Sequence, residues 1–233
     1  MTYAAFARFY DAVQGDGADR AATLRQLIER HRPGARTVLE LACGTGSILA
    51  HLRADFAVTG LDRSPEMLER AAEKLPGVRL VEADMTRFAL GERFDVVLCV
   101  FDSINHLLDF ADWEAVFDRA AEHLGTGGIF VFDINTEERL ARLAAHPPVA
   151  QWFDGENMLT IDVRDDSEGV VTWSIAVFEH LGGDRYRLHI EDIREASFPR
   201  DRIEQALLER FDAVAVEGAE RLYFVATART LHV

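Results

Sequence analysis

Three acids and two glycines in the first third of the chain have the residue types and spacing of a ligand site. Glu40 lies inside the apolar run "VLEL", Gly44 and Gly46 follow in "ACGTG", Asp62 ends "FAVTGLD", and Asp84 ends "VRLVEAD". A carboxylate inside an apolar strand is costly to bury without a partner, so Glu40 is hard to explain as packing alone. Glycines where a strand turns into a helix let the backbone bend and bring its N–H groups close to a ligand. A dinucleotide pyrophosphate would call for G-x-G-x-x-G, but Leu49 stands at the third glycine; a P-loop would need Gly-Lys-Ser/Thr, which is absent. An unphosphorylated adenosine ligand fits what remains. Asp62 followed by "RSP" also suits a helix start, and Asp84 also suits a turn, so both readings stay open.

The surrounding pattern says what positions these residues. Helical spacing over 18–32, ended by Pro33-Gly34, precedes three strand–helix alternations. "TVLEL" leads to a helix at 47–53, and "FAVTGLD" to a helix opened by Ser64 as N-cap with Pro65 in the first turn. "VRLVEAD" leads to a short, partly helical segment at 85–88. "FDVVLCVF" is an unbroken apolar run, expected of a strand buried on both faces, and a helix over 112–124 leads through "GTGG" to "IFVFDIN". Parallel strands need crossovers, usually helices, so the pattern predicts an α/β, doubly wound, parallel sheet. Ligands of such sheets lie beyond the carboxyl ends of the strands, where the three acids and the glycine turn fall.

After about residue 144 the texture changes. "MLTIDVRD", "VVTWSIAVFEHL" and "RYRLHIEDIREASF" alternate partially between turns and read as an inserted antiparallel meander. A helix over 201–210 and the strands "AVAVE" and "RLYFVATART" return the chain to the main sheet. The organisation expected is one body from 1–148 and 200–233, with 149–199 as an inserted antiparallel β cap.

With 233 residues and 48% hydrophobic content, the chain can bury one good core and a small appended element. Forty acids against 25 bases give a net charge of −15, which opposes nucleic acid and anionic membrane as partners. No apolar run approaches the roughly 20 residues of a membrane span, and the N-terminus lacks the pattern of a secretory signal, so a cytoplasmic protein is expected. Cys43 and Cys99 lie in apolar runs and read as buried free thiols.

"LELACGTG", "GLDRSPEML", "EADM" and "FDVVLCVFDSINHL", in that order, resemble the motifs of class I S-adenosylmethionine-dependent methyltransferases. "YAAFARFYD", "FDSINHLLD", "FDINT" and the meander narrow the resemblance to a small-molecule group that includes sugar N,N-dimethyltransferases. The resemblance implies a Rossmann-like sheet of seven strands, mostly parallel with the last strand antiparallel, and S-adenosyl-L-methionine as methyl donor, leaving S-adenosyl-L-homocysteine. Glu40 would orient the methionine amino group, often through water. Ala42, which replaces the usual first glycine, would line methionine and ribose with Gly44 and Gly46. Asp62 would accept the ribose hydroxyls and Arg63 would flank the adenine. Asp84 would accept the adenine amino group, with Met85 on the ring. Phe101 and Asp102 would close the pocket near the methionine. The N-terminal aromatics Tyr3, Phe6, Phe9 and Tyr10 would form a lid, with Tyr10 at the cofactor; a helix packing an aromatic stripe into the core fits their spacing equally well.

For the reacting end, the resemblance points to His106 as base or orienting group, since a histidine titrates in the useful range. Asp102, Asp133 and Asn135 stand at strand ends where an acceptor would sit. They could instead form an oxygen-rich Mg²⁺ site, but the signature spacing of metal-dependent relatives is absent, and no metal is expected. Trp152, Trp173, Tyr186, His189 and Arg194 are possible acceptor contacts from the meander; Arg194 and Phe198 in "REASFP" match the family's pattern only loosely. Alternation lets one face look inward, and the sequence does not say which. The function expected is methyl transfer to N or O of a small molecule, an amino sugar or other secondary metabolite among the options. The alternatives are an RNA or protein methyltransferase and a cofactor-binding protein without turnover. An inserted sheet can also pair with a second copy, so a homodimer through that element is a further expectation.

Overall fold

The computed structural model describes residues 6–167, 169–218 and 221–230. Two sheets divide the chain. The larger has the order β10-β11-β5-β4-β1-β2-β3, built from β1 (Thr37–Leu41), β2 (Ala57–Asp62), β3 (Arg79–Glu82), β4 (Phe94–Cys99), β5 (Leu124–Ile134), β10 (Phe211–Glu217) and β11 (Leu222–Ala228). β11 runs antiparallel to both neighbours, β5 and β10, and the other pairings are parallel. This is the Rossmann-like arrangement expected, with the strand order reversing between β1 and β4.

Alternation along the central strands sends side chains to two cores. Leu39, Leu41, Val97 and Cys99 pack on one face against α5 (Phe110–Glu122) and α7 (Arg200–Leu208). Val38, Val96, Leu98 and Val100 pack on the other against α2 (Ala18–His31) and α3 (Ser47–Leu52). Burial on both faces explains why β4 and β5 read as continuous apolar runs. Helix α4 (Pro65–Lys74) starts as its sequence dictates: the Ser64 hydroxyl accepts the Met67 N–H at 3.3 Å, and Pro65 occupies the first turn.

The second sheet is antiparallel with the order β6-β7-β8-β9: β6 (Val149–Phe153), β7 (Asn157–Ser167), β8 (Val170–His180) and β9 (Tyr186–Ala196). It has four strands where the sequence suggested three, because "VAQWF" pairs with β7 as an edge strand. Helix α6 (Glu137–Ala145), which the sequence reading lacked, connects the sheets, capped by the Thr136 hydroxyl. Its Leu140 packs on Val163 and Val171. The partly helical segment expected at 85–88 is a turn instead. Asp84 Oδ1 accepts both the N–H and the hydroxyl of Thr86, and this local bonding competes with helix formation. Strand β5 also begins earlier than "IFVFDIN", taking in "GTGG" with a register shift against β4.

Helix α1 (Ala7–Gln14) lies between the sheets. Phe6 and Phe9 are buried against Phe153, Leu159, Ile175, Val177 and Ile193 of the second sheet. Two ion pairs fix the helix: Arg8 to Glu179 at 2.6 Å, and Asp11 to Lys74, the only lysine in the chain, at 2.5 Å. Asp11 also accepts from Thr45 and Ser47 of the glycine turn. Tyr3 lies outside the described residues. No described helix is long and apolar enough to cross a membrane.

Candidate functional site

A cavity of about 320 Å³ opens at the carboxyl edge of the large sheet, between it, α1 and the inner face of the second sheet. A smaller recess, lined by Glu40, Cys43, Thr45 and Ser103 among others, adjoins it and shares Tyr10, Ala42, Gly44 and Phe101 with it.

The glycine turn makes one wall. Ala42 has φ 52° and Gly44 φ 55°, so two of three consecutive residues are left-handed, and at Ala42 this strains an L-residue by about 1–2 kcal/mol. A Cβ added to Gly44 would meet nothing within 4 Å, so the space beside it is open to a ligand. Gly46 belongs elsewhere. It lines neither hollow, and a Cβ on it would come within 2.6 Å of the Leu75 side chain and 3.2 Å of Ala71. Its glycine is needed for its φ of 74° at the head of α3 and for close approach of α4.

Asp62 is bonded through both oxygens: Oδ2 accepts the Gly44 N–H at 2.8 Å and Oδ1 the Ser64 N–H at 2.9 Å. It therefore fixes the turn and opens α4 while lining the cavity, so the two readings left open by the sequence coexist. Burial pushes its pKa up, against the lowering effect of those bonds. Glu40 is buried at 3% exposure, and its Oε2 has no partner among the described residues. Burial, then the neighbouring Asp62, holds its carboxyl well above the usual range. Asp84, Arg63 and Met85 line the cavity on the β3 side. Burial opposes ionisation of Asp84, but its bonds to Thr86 prevail and lower its pKa.

Past β4, Phe101 (φ 61°) and Asp102 (φ 51°) are both left-handed. Two adjacent non-glycine residues in this region mark a site the surrounding fold over-determines. Arg221, which the sequence reading missed, explains part of it: its guanidinium pairs with Asp102 at 2.5 Å and with buried Asp133. Asp102 and Asp133 are thus bridged by a cation. Arg20, also missed, stacks its guanidinium 3.5 Å above the Phe101 ring, and its Nη1 is buried with no partner among the described residues. Tyr10 lines both hollows, its phenol pushed up by burial and then by Asp102.

Beyond Asp102, His106 follows β4 on a short 3-10 turn, Ser103–His106, and lines the cavity. Burial lowers its pKa, Asp102 opposes that, and its ring is hydrogen-bonded to the Arg194 backbone. Asn135 lines the same wall. Its amide donates to Glu195 Oε2 at 2.9 Å and accepts from Arg139 Nε at 2.8 Å, while the Asn105 side chain bonds its backbone on both sides.

The second sheet turns its odd-numbered side chains inward. Ile161, Trp173, Ile175, Ile193 and Glu195 line the cavity. Three expected contacts, Arg194, Trp152 and Tyr186, therefore fall on the other face. Arg194 points outward to Asp166 at 3.6 Å, and Trp152, 63% exposed, lies on the edge strand away from the cavity. Tyr186 is exposed, and His189 joins Arg8 and Glu179. Among the described residues no group of three or more His, Cys, Asp or Glu side chains is arranged to hold a metal.

A family model described as a methyltransferase domain matches residues 38–128. A dTDP-3-amino-3,6-dideoxy-α-D-glucopyranose N,N-dimethyltransferase from Streptomyces fradiae is 42% identical over 132 residues, covering 54% of this chain and 52% of the relative. The chain thus spans about half the length of the curated relative it matches. Among solved structures, CalS10, an amino pentose methyltransferase from Micromonospora echinaspora solved with S-adenosylmethionine bound, aligns at TM-score 0.79 and 28% identity. That alignment covers 94% of this chain and 95% of CalS10. DesVI of Streptomyces venezuelae aligns at TM-score 0.83 and 24% identity over 97% of each chain, a likeness of fold.

Proposed function

We propose that this chain, which carries a methyltransferase domain and resembles class I S-adenosylmethionine-dependent methyltransferases, transfers methyl from S-adenosyl-L-methionine to nitrogen of a small amine, of the amino-sugar kind. The observation that carries the reading is the unpartnered carboxylate oxygen of Glu40, buried at the tip of β1 beside the open space at Gly44 and the carboxylate of Asp62. A buried acid left without a donor is expensive, and a ligand ammonium or its bridging water supplies one. Arg20 brings an unpartnered guanidinium nitrogen to the same end, which suits the carboxylate of an amino acid moiety. Asp62 has lone pairs left for ribose hydroxyls. Arg63, Asp84 and Met85 make a slot for a purine.

The sulfonium donor supplies an activated methyl group. What this chain's residues must do is align a nucleophile and exclude water. The inner face of residues 149–199 roofs the cavity with Ile161, Trp173, Ile175 and Ile193, and α1 closes it with Phe6 and Tyr10. His106, kept neutral by burial, meets the acceptor as an imidazole able to orient an amine or take its proton. A labelled-methyl screen over amines, sugars and phenols tests the function; incorporation into none of them overturns it. Within that assay, His106→Ala is expected to retain cofactor affinity and to lose 10²-fold or more in turnover, the order of a general base. Turnover by His106→Ala equal to that of wild type throughout pH 6 to 9 would remove His106 from the mechanism.

The reading includes a cytoplasmic setting and pairing of two copies through the outer face of the second sheet. Register aligns Trp152, Met158, Phe178 and Leu188 in one row across all four strands, with Trp152, Leu188 and Ile190 exposed. Such a row is self-complementary about a two-fold axis. Sedimentation should give a dimer that Trp152→Ser with Leu188→Ser dissociates; a wild-type monomer contradicts the pairing.

A further inference from the structure

Among the described residues, Glu195 is the one acid of the second sheet that lines the cavity. It is buried at 4% exposure on β9, one residue from outward-facing Arg194, and it stands among the apolar walls Trp173, Ile175 and Ile193. Its partner Asn135 is held rigidly. Asn105 bonds the Asn135 backbone N–H at 3.0 Å and C=O at 2.9 Å, and Arg139 Nε donates to Asn135 Oδ1, so the Asn135 amide presents its NH₂ to Glu195 Oε2. A carboxylate fixed in this way in an apolar chamber is a poor stabilising device but a good receptor for a cation.

We infer that Glu195 receives the acceptor's amine as an ammonium and takes a proton from it, so that the amine is neutral when it meets the methyl donor. The inference rests on the methyl-transfer reading above and deepens it by naming the group that anchors the amine and takes its proton. The balance is simple. Glu195 sheds its own proton to solvent as the ammonium enters, and the ammonium then gives its proton to the carboxylate so formed. The freed nitrogen lone pair forms the N–C bond to the donor methyl, and the C–S bonding pair returns to sulfur. Glu195 then passes the first proton to solvent and, as a carboxylate again, takes one from the resulting methylammonium, which readies the nitrogen for a second transfer.

The charged groups around Glu195 suit this exchange. Burial, then Asp102, pushes its pKa up to about 8, close to that of an amine on a sugar ring. Arg221, held between Asp102 and Asp133, acts in the other direction. Arg139 of α6 and His106 of the 3-10 turn line the same chamber, the first tied to Asn135 and the second to the Arg194 backbone.

The test is titration calorimetry on the protein first saturated with S-adenosyl-L-homocysteine. The probes are dTDP-3-amino-3,6-dideoxyglucose and its 3-hydroxy counterpart, at pH 6.5 in two buffers of different ionisation heat. Wild type should bind the amine at least about 30-fold more tightly than the alcohol, and with release of close to one proton, because a protonated acid and an ammonium enter a complex that keeps one proton between them. Glu195→Gln should bring the two probes within about threefold and abolish the proton release, with S-adenosyl-L-homocysteine affinity unchanged. Equal affinities in wild type, no amine binding, or no proton release overturns the inference. The proton count needs no variant, so misfolding of Glu195→Gln would not remove the test. Failure of the donor reading shows itself separately, as failure of S-adenosyl-L-homocysteine to bind in the first titration.

Discussion

Asp62→Asn should lower affinity for S-adenosyl-L-methionine by about 100-fold or more and destabilise the empty protein as well. Both carboxylate oxygens are committed to backbone N–H groups, Gly44 at 2.8 Å and Ser64 at 2.9 Å, and the ribose hydroxyls are proposed to use the remaining lone pairs. An asparagine offers one acceptor and one donor. Whichever way the amide turns, one of those N–H groups faces an NH₂ and is left unsatisfied in a buried place, at a cost of about 1–3 kcal/mol. On the ligand side, the loss of charge-assisted hydrogen bonds worth about 1.5–3 kcal/mol each removes the factor of 100. Calorimetry and a thermal melt read the two effects. Affinity within threefold of wild type would mean that Asp62 serves only the turn and the start of α4.

Glu40→Gln should have opposite effects on stability and on binding. The Glu40 carboxyl is held well above the usual range by burial and by Asp62, and its Oε2 has no partner. Between the ordinary glutamate range and that raised value, the unfolded chain has lost its proton while the folded chain retains it. Stability therefore falls as pH rises through this window. Glu195, pushed up to about 8, adds a slope of the same sign. Glutamine has no proton to lose, so the empty variant should melt above wild type by an amount that grows from pH 5 to pH 8. It should bind S-adenosyl-L-methionine about 10- to 100-fold more weakly, the worth of one hydrogen bond to a charged group. A variant that melts below wild type at pH 8, or that binds as tightly, would show that Glu40 is satisfied within the protein.

The parts of the fold written locally were legible in the sequence. Continuous apolar runs mark β4 and β5 because both faces are covered, and Ser64-Pro65 marks the start of α4 because capping is a local bond. The acids at β1, β2 and after β3 fall on one edge because a parallel sheet places strand ends together. Other features were decided at a distance. Arg221 reaches Asp102 across 119 positions, and Arg20 reaches Phe101 from helix α2, so neither leaves a pattern in neighbouring residues. The inserted sheet turned on parity. A shift of one residue exchanges Arg194 for Glu195 at the cavity, and partial alternation in "RYRLHIEDIREASF" does not fix that choice. Trp152 looked like an acceptor contact by type, but it sits on edge strand β6, a strand obscured by the prolines before it. Gly46 looked like part of the ligand turn, yet the contact it permits is with α4.

The most direct measurement is titration of the unmodified protein with S-adenosyl-L-methionine and, separately, S-adenosyl-L-homocysteine. Strand-tip acids that grip a nucleoside joined to an amino acid predict that each binds at one site per chain, and that Asp62→Asn and Glu40→Gln weaken both. Absence of binding by either ligand, or binding that neither substitution weakens, would contradict the account.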